Sequence, residues 1–278
     1  MRGEYRGRYF LRRRIWRCGD YMEVETYPVF QRPGVRREKS RLTREAQRRL
    51  NQREAELRFL RTARLNFTDG DYEIDTTFAK AAEEAEARQA LRAYLRKLRL
   101  IYRAAGAELR YMYTLERGKK SGRTHFHMIL NRGPLGRDEL EELWPHGWRN
   151  ARRLDFDETG LCGLSTYIAK QGKARKPEET GKRRWSCSKN LIRPQPEILD
   201  AAVAMPELER LVDAIDRRMA DEDVRQEYPG WELVDAEAVR NAVNKGMYVR
   251  LSICRRERWR GRRPVARYSV AEIGDEWE

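Results

Sequence analysis

Only three histidines occur in 278 residues, and two of them, His125 and His127, stand two positions apart. The run Arg123-Thr124-His125-Phe126-His127-Met128-Ile129-Leu130 is rich in β-forming residues and reads as a strand. Side chains alternate along a strand, so both imidazoles point to one face and Phe126 points to the other, into a core. Two imidazoles on one face offer two nitrogen ligands to one metal ion. Glu116 ends the preceding strand, and the basic turn Gly118-Lys119-Lys120-Ser121-Gly122 makes a hairpin that brings its carboxylate towards the pair. Two histidines and a carboxylate leave coordination positions open for a phosphate oxygen. Further along, Tyr167 and Lys170 lie three apart in a segment that reads as a helix, so they share a face. A tyrosine facing a metal can act as a nucleophile on phosphorus, and a lysine beside it can hold phosphate charge.

The elements that must position these residues follow from periodicity. Alternation predicts strands over 72–78, 108–116 and 123–130, with a further strand over 148–156. A long helix is predicted over 79–105, with Leu91, Tyr94, Leu95, Leu98 and Ile101 on one stripe, and short helices over 137–144 and 161–171. Residues 172–184 read as a basic loop and 185–193 as extended or irregular. On the N-terminal side, 1–40 reads as an irregular basic arm and 41–64 as an arginine-rich helix. On the C-terminal side, 197–220 reads as helical and 246–254 as a strand. This order predicts an α+β fold, a central antiparallel sheet flanked by helices. It also predicts three stretches: the arm and helix at 1–64, a catalytic domain at 65–196 and an extension at 197–278.

Charge narrows the partner. The chain carries 59 Lys and Arg against 44 Asp and Glu, a net of +15. The excess is uneven: residues 1–64 hold 19 basic against 8 acidic residues, and 170–193 hold 9 against 2. An uneven, arginine-rich excess fits a polyanion such as nucleic acid. No apolar run approaches the roughly 20 residues of a membrane span, and no secretory leader is evident. Cys18, Cys162, Cys187 and Cys254 are scattered, which excludes a zinc ribbon and suits reduced thiols in a cytoplasm.

Taken together, the extended run Tyr72–Phe78, Thr114-Leu115-Glu116, His125-Phe126-His127-Met128-Ile129-Leu130, Tyr167-Ile168-Ala169-Lys170-Gln171 and Trp185-Ser186-Cys187-Ser188-Lys189-Asn190-Leu191 resemble the HUH endonuclease superfamily. The likeness is to single-tyrosine rolling-circle replication initiators of plasmids, phages and integrative elements. It spans about Arg44 to Pro196. The resemblance implies a DNA nicking endonuclease and strand transferase. His125 and His127, with Glu116 as third ligand, would hold Mg²⁺ or Mn²⁺. Tyr167 would attack the scissile phosphate of single-stranded origin DNA, leaving a covalent 5′-phosphotyrosine and a free 3′-OH, with Lys170 assisting. It also implies an RNA-recognition-like sheet, a bacterial cytoplasm, and a host helicase and polymerase as partners. The chain has no Tyr-x-x-x-Tyr pair at the motif helix and no GxxxxGK[ST] loop of its own to drive unwinding.

Two other readings share some of this. A relaxase or single-strand transposase uses the same chemistry on other DNA. A non-catalytic binding protein would stack bases on a sheet bearing Tyr111, Tyr113 and Phe126, but it gives the histidines and Tyr167 no common task.

Overall fold

The computed structural model describes residues 9–30, 44–118, 122–156, 160, 185–201, 203–241, 246–258 and 266–273, with the backbone alone at 44–50. The chain divides into two compact units. One comprises 52–156 with 161–193, and the other 1–51 with 157–160 and 194–278. The α+β class expected from the sequence is what both show. Among the described residues no helix is long and apolar enough to cross a membrane.

The unit with the histidine pair is built on a five-stranded antiparallel sheet. Its strands are β3 (Tyr72–Thr77), β4 (Tyr111–Arg117), β5 (Thr124–Leu130), β6 (Arg149–Arg153) and β7 (Trp185–Cys187). Their spatial order is β6-β3-β5-β4-β7. Alternation decides the two faces. Tyr72, Ile74, Phe126 and Met128 point to one side and are buried, Ile74 and Phe126 fully. Helix α2 (Glu84–Ala104) covers them with Leu91, Tyr94, Leu95, Leu98 and Tyr102, its single apolar stripe. Acidic Glu84 and Glu86 in its first turn and Arg103 in its last suit the helix dipole. Short helix α3 (Arg137–Glu142) adds Leu140, whose carbonyl accepts a hydrogen bond from the Tyr94 hydroxyl at 3.0 Å. Helix α1 (Arg44–Asn66) lies on the opposite face at the β7 edge. Trp185 of β7 meets Phe59 edge-on and donates its indole N–H to the Ala55 carbonyl at 3.0 Å. The sequence placed these elements within a few residues of where they lie, though the 79–105 helix starts later, at Glu84. The predicted helix at 161–171 and the basic loop at 172–184 lie outside the described residues.

The other unit corrects the sequence reading. Residues 9–30 are not irregular. They form a hairpin, β1 (Tyr9–Cys18) and β2 (Tyr21–Phe30), turned at Gly19. This hairpin is internal to a six-stranded sheet with β8 (Glu197–Asp200), β9 (Trp231–Asn241), β10 (Met247–Arg255) and β11 (Arg267–Ile273), in the order β11-β9-β10-β2-β1-β8. The dense arginines hid the strand period, because their charges are answered by residues distant in sequence. Arg12 forks onto Asp200 at 2.7 and 2.8 Å, and Arg13 pairs with Glu227. Between the arginines, Leu11 and Ile15 supply the apolar alternation. The predicted helix at 197–220 is instead strand β8 followed by helix α4 (Met205–Asp216), and helix α5 (Ala220–Glu227) comes next. Leu208, Val212, Ile215 and Val224 of these helices pack on Leu11, Val24, Val249 and Leu251 of the sheet.

Candidate active site

The register of β5 fixes what surrounds the histidines. His125 stands opposite Thr77 on β3 and Glu116 on β4. His127 stands opposite Asp75 on β3 and Thr114 on β4. Directly opposed residues share a face, so these six side chains lie on the face away from α2. Phe126, between the histidines, is fully buried against Phe78, Tyr113 and Trp144 on the other side. The core residue locks the strand's orientation, and that orientation turns both imidazoles outward together.

Each imidazole is held by its Nδ1. His125 Nδ1 shares a hydrogen bond with the Thr77 hydroxyl at 2.7 Å, and His127 Nδ1 lies 2.5 Å from Asp75 Oδ1. His127 Nε2 faces Glu116 Oε2 at 3.6 Å. The second Asp75 oxygen lies 3.4 Å from Arg152 Nη1, and the same guanidinium forks onto Glu73 at 2.6 and 3.0 Å. A charged chain therefore runs Arg152–Asp75–His127–Glu116 across β6, β3, β5 and β4. Side-chain exposures of 13% for His127, 15% for Asp75 and 18% for Glu116 keep it poorly solvated.

This setting splits the two histidines. Burial pulls the His127 pKa down, but the hydrogen bonds and charges of Asp75 and Glu116 outweigh it and hold the ring up at about 9. Burial and the charge of His127 push His125 below the usual histidine value, with Glu116 opposing. One ring is thus held cationic at neutral pH beside a ring held neutral. Elsewhere in this unit burial pushes the phenols of Tyr94 and Tyr102 up, the second to about 12. Neither is fitted to act as a nucleophile near neutrality.

Two imidazole nitrogens and a carboxylate oxygen on one poorly solvated face form a donor set that suits a divalent cation. With both Nδ1 atoms engaged, each ring would ligate through Nε2, on the side where Glu116 lies. A ligating imidazole whose second nitrogen is anchored to a carboxylate is a recurrent metal-site arrangement. Among the described residues, no group of three or more His, Cys, Asp or Glu side chains is arranged to hold a metal ion. The Glu116 to His127 contact is an ion pair at 3.6 Å. The residue types fit the group chemically, and His125, His127 and Glu116 are the ones that would hold it.

Residues 74–172 match the family model of replication-associated proteins of the ORF2 and gene II protein type. The matched stretch opens on β3, crosses Asp75, Glu116, His125 and His127, and ends just past Tyr167 and Lys170. It bears out the resemblance to replication-associated proteins read from the motifs. No curated protein and no solved structure is significantly similar to the chain.

Of the residues singled out from sequence, His125, His127 and Glu116 are brought to one face. Tyr167 and Lys170 lie outside the described residues. Asp75, Thr77 and Arg152 escaped the sequence reading. The period of two in Tyr72–Thr77 carried the signal: it puts Glu73, Asp75 and Thr77 on the face opposite the buried Tyr72 and Ile74. The base-stacking sheet imagined for a non-catalytic protein is not open. Tyr111 and Tyr113 stand opposite Leu130 and Met128, on the helix-covered side with Phe126.

Proposed function

We propose that the chain is a rolling-circle replication initiator that nicks single-stranded origin DNA through Tyr167. The observation that supports it most is the pairing of His125 and His127 with Glu116 on one face, Asp75 behind, inside the stretch that matches a replication-associated family. His125, His127 and Glu116 would hold Mg²⁺ or Mn²⁺. When bound, the cation supplies Lewis-acid polarisation of the scissile phosphate. Asp75 fixes the His127 ring, and Thr77 fixes His125. The Tyr167 phenol oxygen attacks phosphorus, a P–O bond to tyrosine forms, and the P–O3′ bond breaks. The phenol proton passes to solvent and the leaving O3′ takes one back from solvent, so that no net proton is lost and a 5′-phosphotyrosine and a free 3′-OH result. Lys170 balances charge on the phosphate oxygens during attack. The 3′-OH then primes synthesis by a host polymerase, with a host helicase opening the duplex in a bacterial cytoplasm.

The test is direct. Purified protein is mixed with labelled single-stranded DNA carrying an origin hairpin and Mn²⁺, then run on a denaturing gel that resolves protein-linked DNA. A covalent adduct is expected, absent with chelator and absent in Tyr167→Phe. An adduct that persists in Tyr167→Phe removes Tyr167 as nucleophile. Tight binding without cleavage on origin, transfer-origin and transposon-end hairpins alike removes the nicking reading.

A further inference from the structure

One large aromatic side chain stands in solvent beside this site. Trp148 is 59% exposed, whereas Trp144, four residues earlier, is fully buried. The ladder between β3 and β6 pairs Asp75 with Asn150 and Thr76 with Arg149. One step further, the Thr77 N–H donates to the Trp148 carbonyl at 2.8 Å, which continues the same register. Trp148 therefore falls opposite Thr77, on the histidine face. Trp148, Thr77, His125 and Glu116 form one row across the sheet.

The exposure does not come from a loose loop. The Ala79 N–H donates to the His146 carbonyl at 2.9 Å. The His146 ring stacks on Phe78 with centroids 5.5 Å apart and meets Trp144 edge-on at 5.1 Å. Gly147 sits so close to the 77–79 backbone that a Cβ there would fall 2.3 Å from the Thr77 carbonyl oxygen. The segment is clamped on both sides of Trp148, and what it holds out is an indole. Half-exposed Arg152, held by Glu73, lies further along the same face, whereas Arg149, opposite Thr76, belongs to the other.

We propose that Trp148 is a stacking platform for an unpaired base of single-stranded DNA, next to the phosphate held at the histidine face. An indole recognises the flat face of any base, and only an unpaired base offers that face. The strongly basic chain, net +15, favours a polyanionic strand over an apolar peptide. The inference rests on the nicking reading for which phosphate lies nearby, but the stacking itself does not need cleavage.

Fluorescence anisotropy with the full chain tests it, using a fluorescein-labelled mixed-sequence oligonucleotide as single strand and as duplex. Trp148→Ala is expected to weaken single-strand binding roughly 5- to 150-fold, Trp148→Phe to keep most of it, and duplex affinity to stay unchanged. Unchanged melting temperatures show that both variants fold. Single-strand affinity of Trp148→Ala within about twofold of wild type overturns the proposal, as does an equal loss on duplex. Trp148-dependent binding without any cleavage would leave stacking standing and sink the nicking reading. Normal cleavage and normal affinity in Trp148→Ala would do the reverse.

Discussion

Replacing Gly147 with alanine should loosen the histidine site from a position that carries no functional group. At φ +153 this residue lies where side-chain-bearing residues rarely rest, a strain of about 1–3 kcal/mol. The new Cβ would also come within 2.3 Å of the Thr77 oxygen, 2.5 Å of the Ala79 nitrogen and 2.9 Å of the Phe78 carbonyl carbon. All three are backbone atoms of the strand end that carries Thr77, so they cannot swing aside. Forced overpacking of this kind costs about 1–3 kcal/mol after relaxation. The two terms together give about 2–6 kcal/mol, a fall in melting temperature on the order of 10 °C for a domain of this size. Gly106→Ala is the matched control. It has φ +70 but nothing within 4 Å of an added Cβ, so it bears the conformational strain alone, about 1 kcal/mol. Calorimetric melts of the two variants isolate the contact, and anisotropy on single-stranded DNA reports whether Trp148 moves with its neighbour. If Gly147→Ala melts no lower than Gly106→Ala and binds DNA as wild type does, the clamp on the 77–79 backbone does not exist.

Asp75 and Glu116 hold the His127 ring up at about 9, against about 6.5 in an unfolded chain. A raised folded pKa contributes stability that is complete below pH 6.5 and lost as pH rises through 9, at most about 3 kcal/mol. Urea midpoints in chelator should therefore fall across that window, and Asp75→Asn should flatten the fall; equal slopes for both proteins would contradict the Asp75–His127 coupling. Asp75→Asn should also weaken Mn²⁺ binding by about 10- to 100-fold in calorimetric titration, because the His127 ring loses its anchor. An unchanged affinity would show that Asp75 does not orient the ligand. Phe126→Ala removes a fully buried ring that touches Phe78, Tyr113 and Trp144, and should lower stability by about 3–5 kcal/mol in urea melts. A loss below about 1 kcal/mol would mean that the core does not orient the histidine strand.

The site was legible where chemistry rests on short-range alternation. A scarce residue type repeated two apart in a β-rich run is enough to place His125 and His127 on one face. A tight hairpin then sets Glu116 opposite His125. Asp75 and Arg152 were less visible, because their roles depend on which strands neighbour β5, and β6 reaches β3 only after an intervening helix and hairpin. Trp148 was hidden for a related reason: a tryptophan in a Pro-His-Gly-Trp turn reads as core until the register shows which way it faces. The first strands, β1 and β2, were unreadable for a different cause. Arg12 and Arg13 are answered by Asp200 and Glu227, 188 and 214 residues away, and no local pattern announces such partners.

The placement of β1 and β2 within their sheet has a consequence for synthesis. β2 has β10 as its second neighbour, and β10 begins at Met247, more than two hundred residues later. At about 5–20 residues per second, the hairpin's edge stands open for roughly 10–40 s while the intervening unit is translated. An open, regular strand edge is a template for pairing with another chain. Ribosomes stalled within the histidine-bearing unit would therefore release chains that join edge to edge, whereas excising that unit and joining β2 to β8, which run parallel on either side of β1, by a crossover of about a dozen or more residues should leave a sheet able to close on itself.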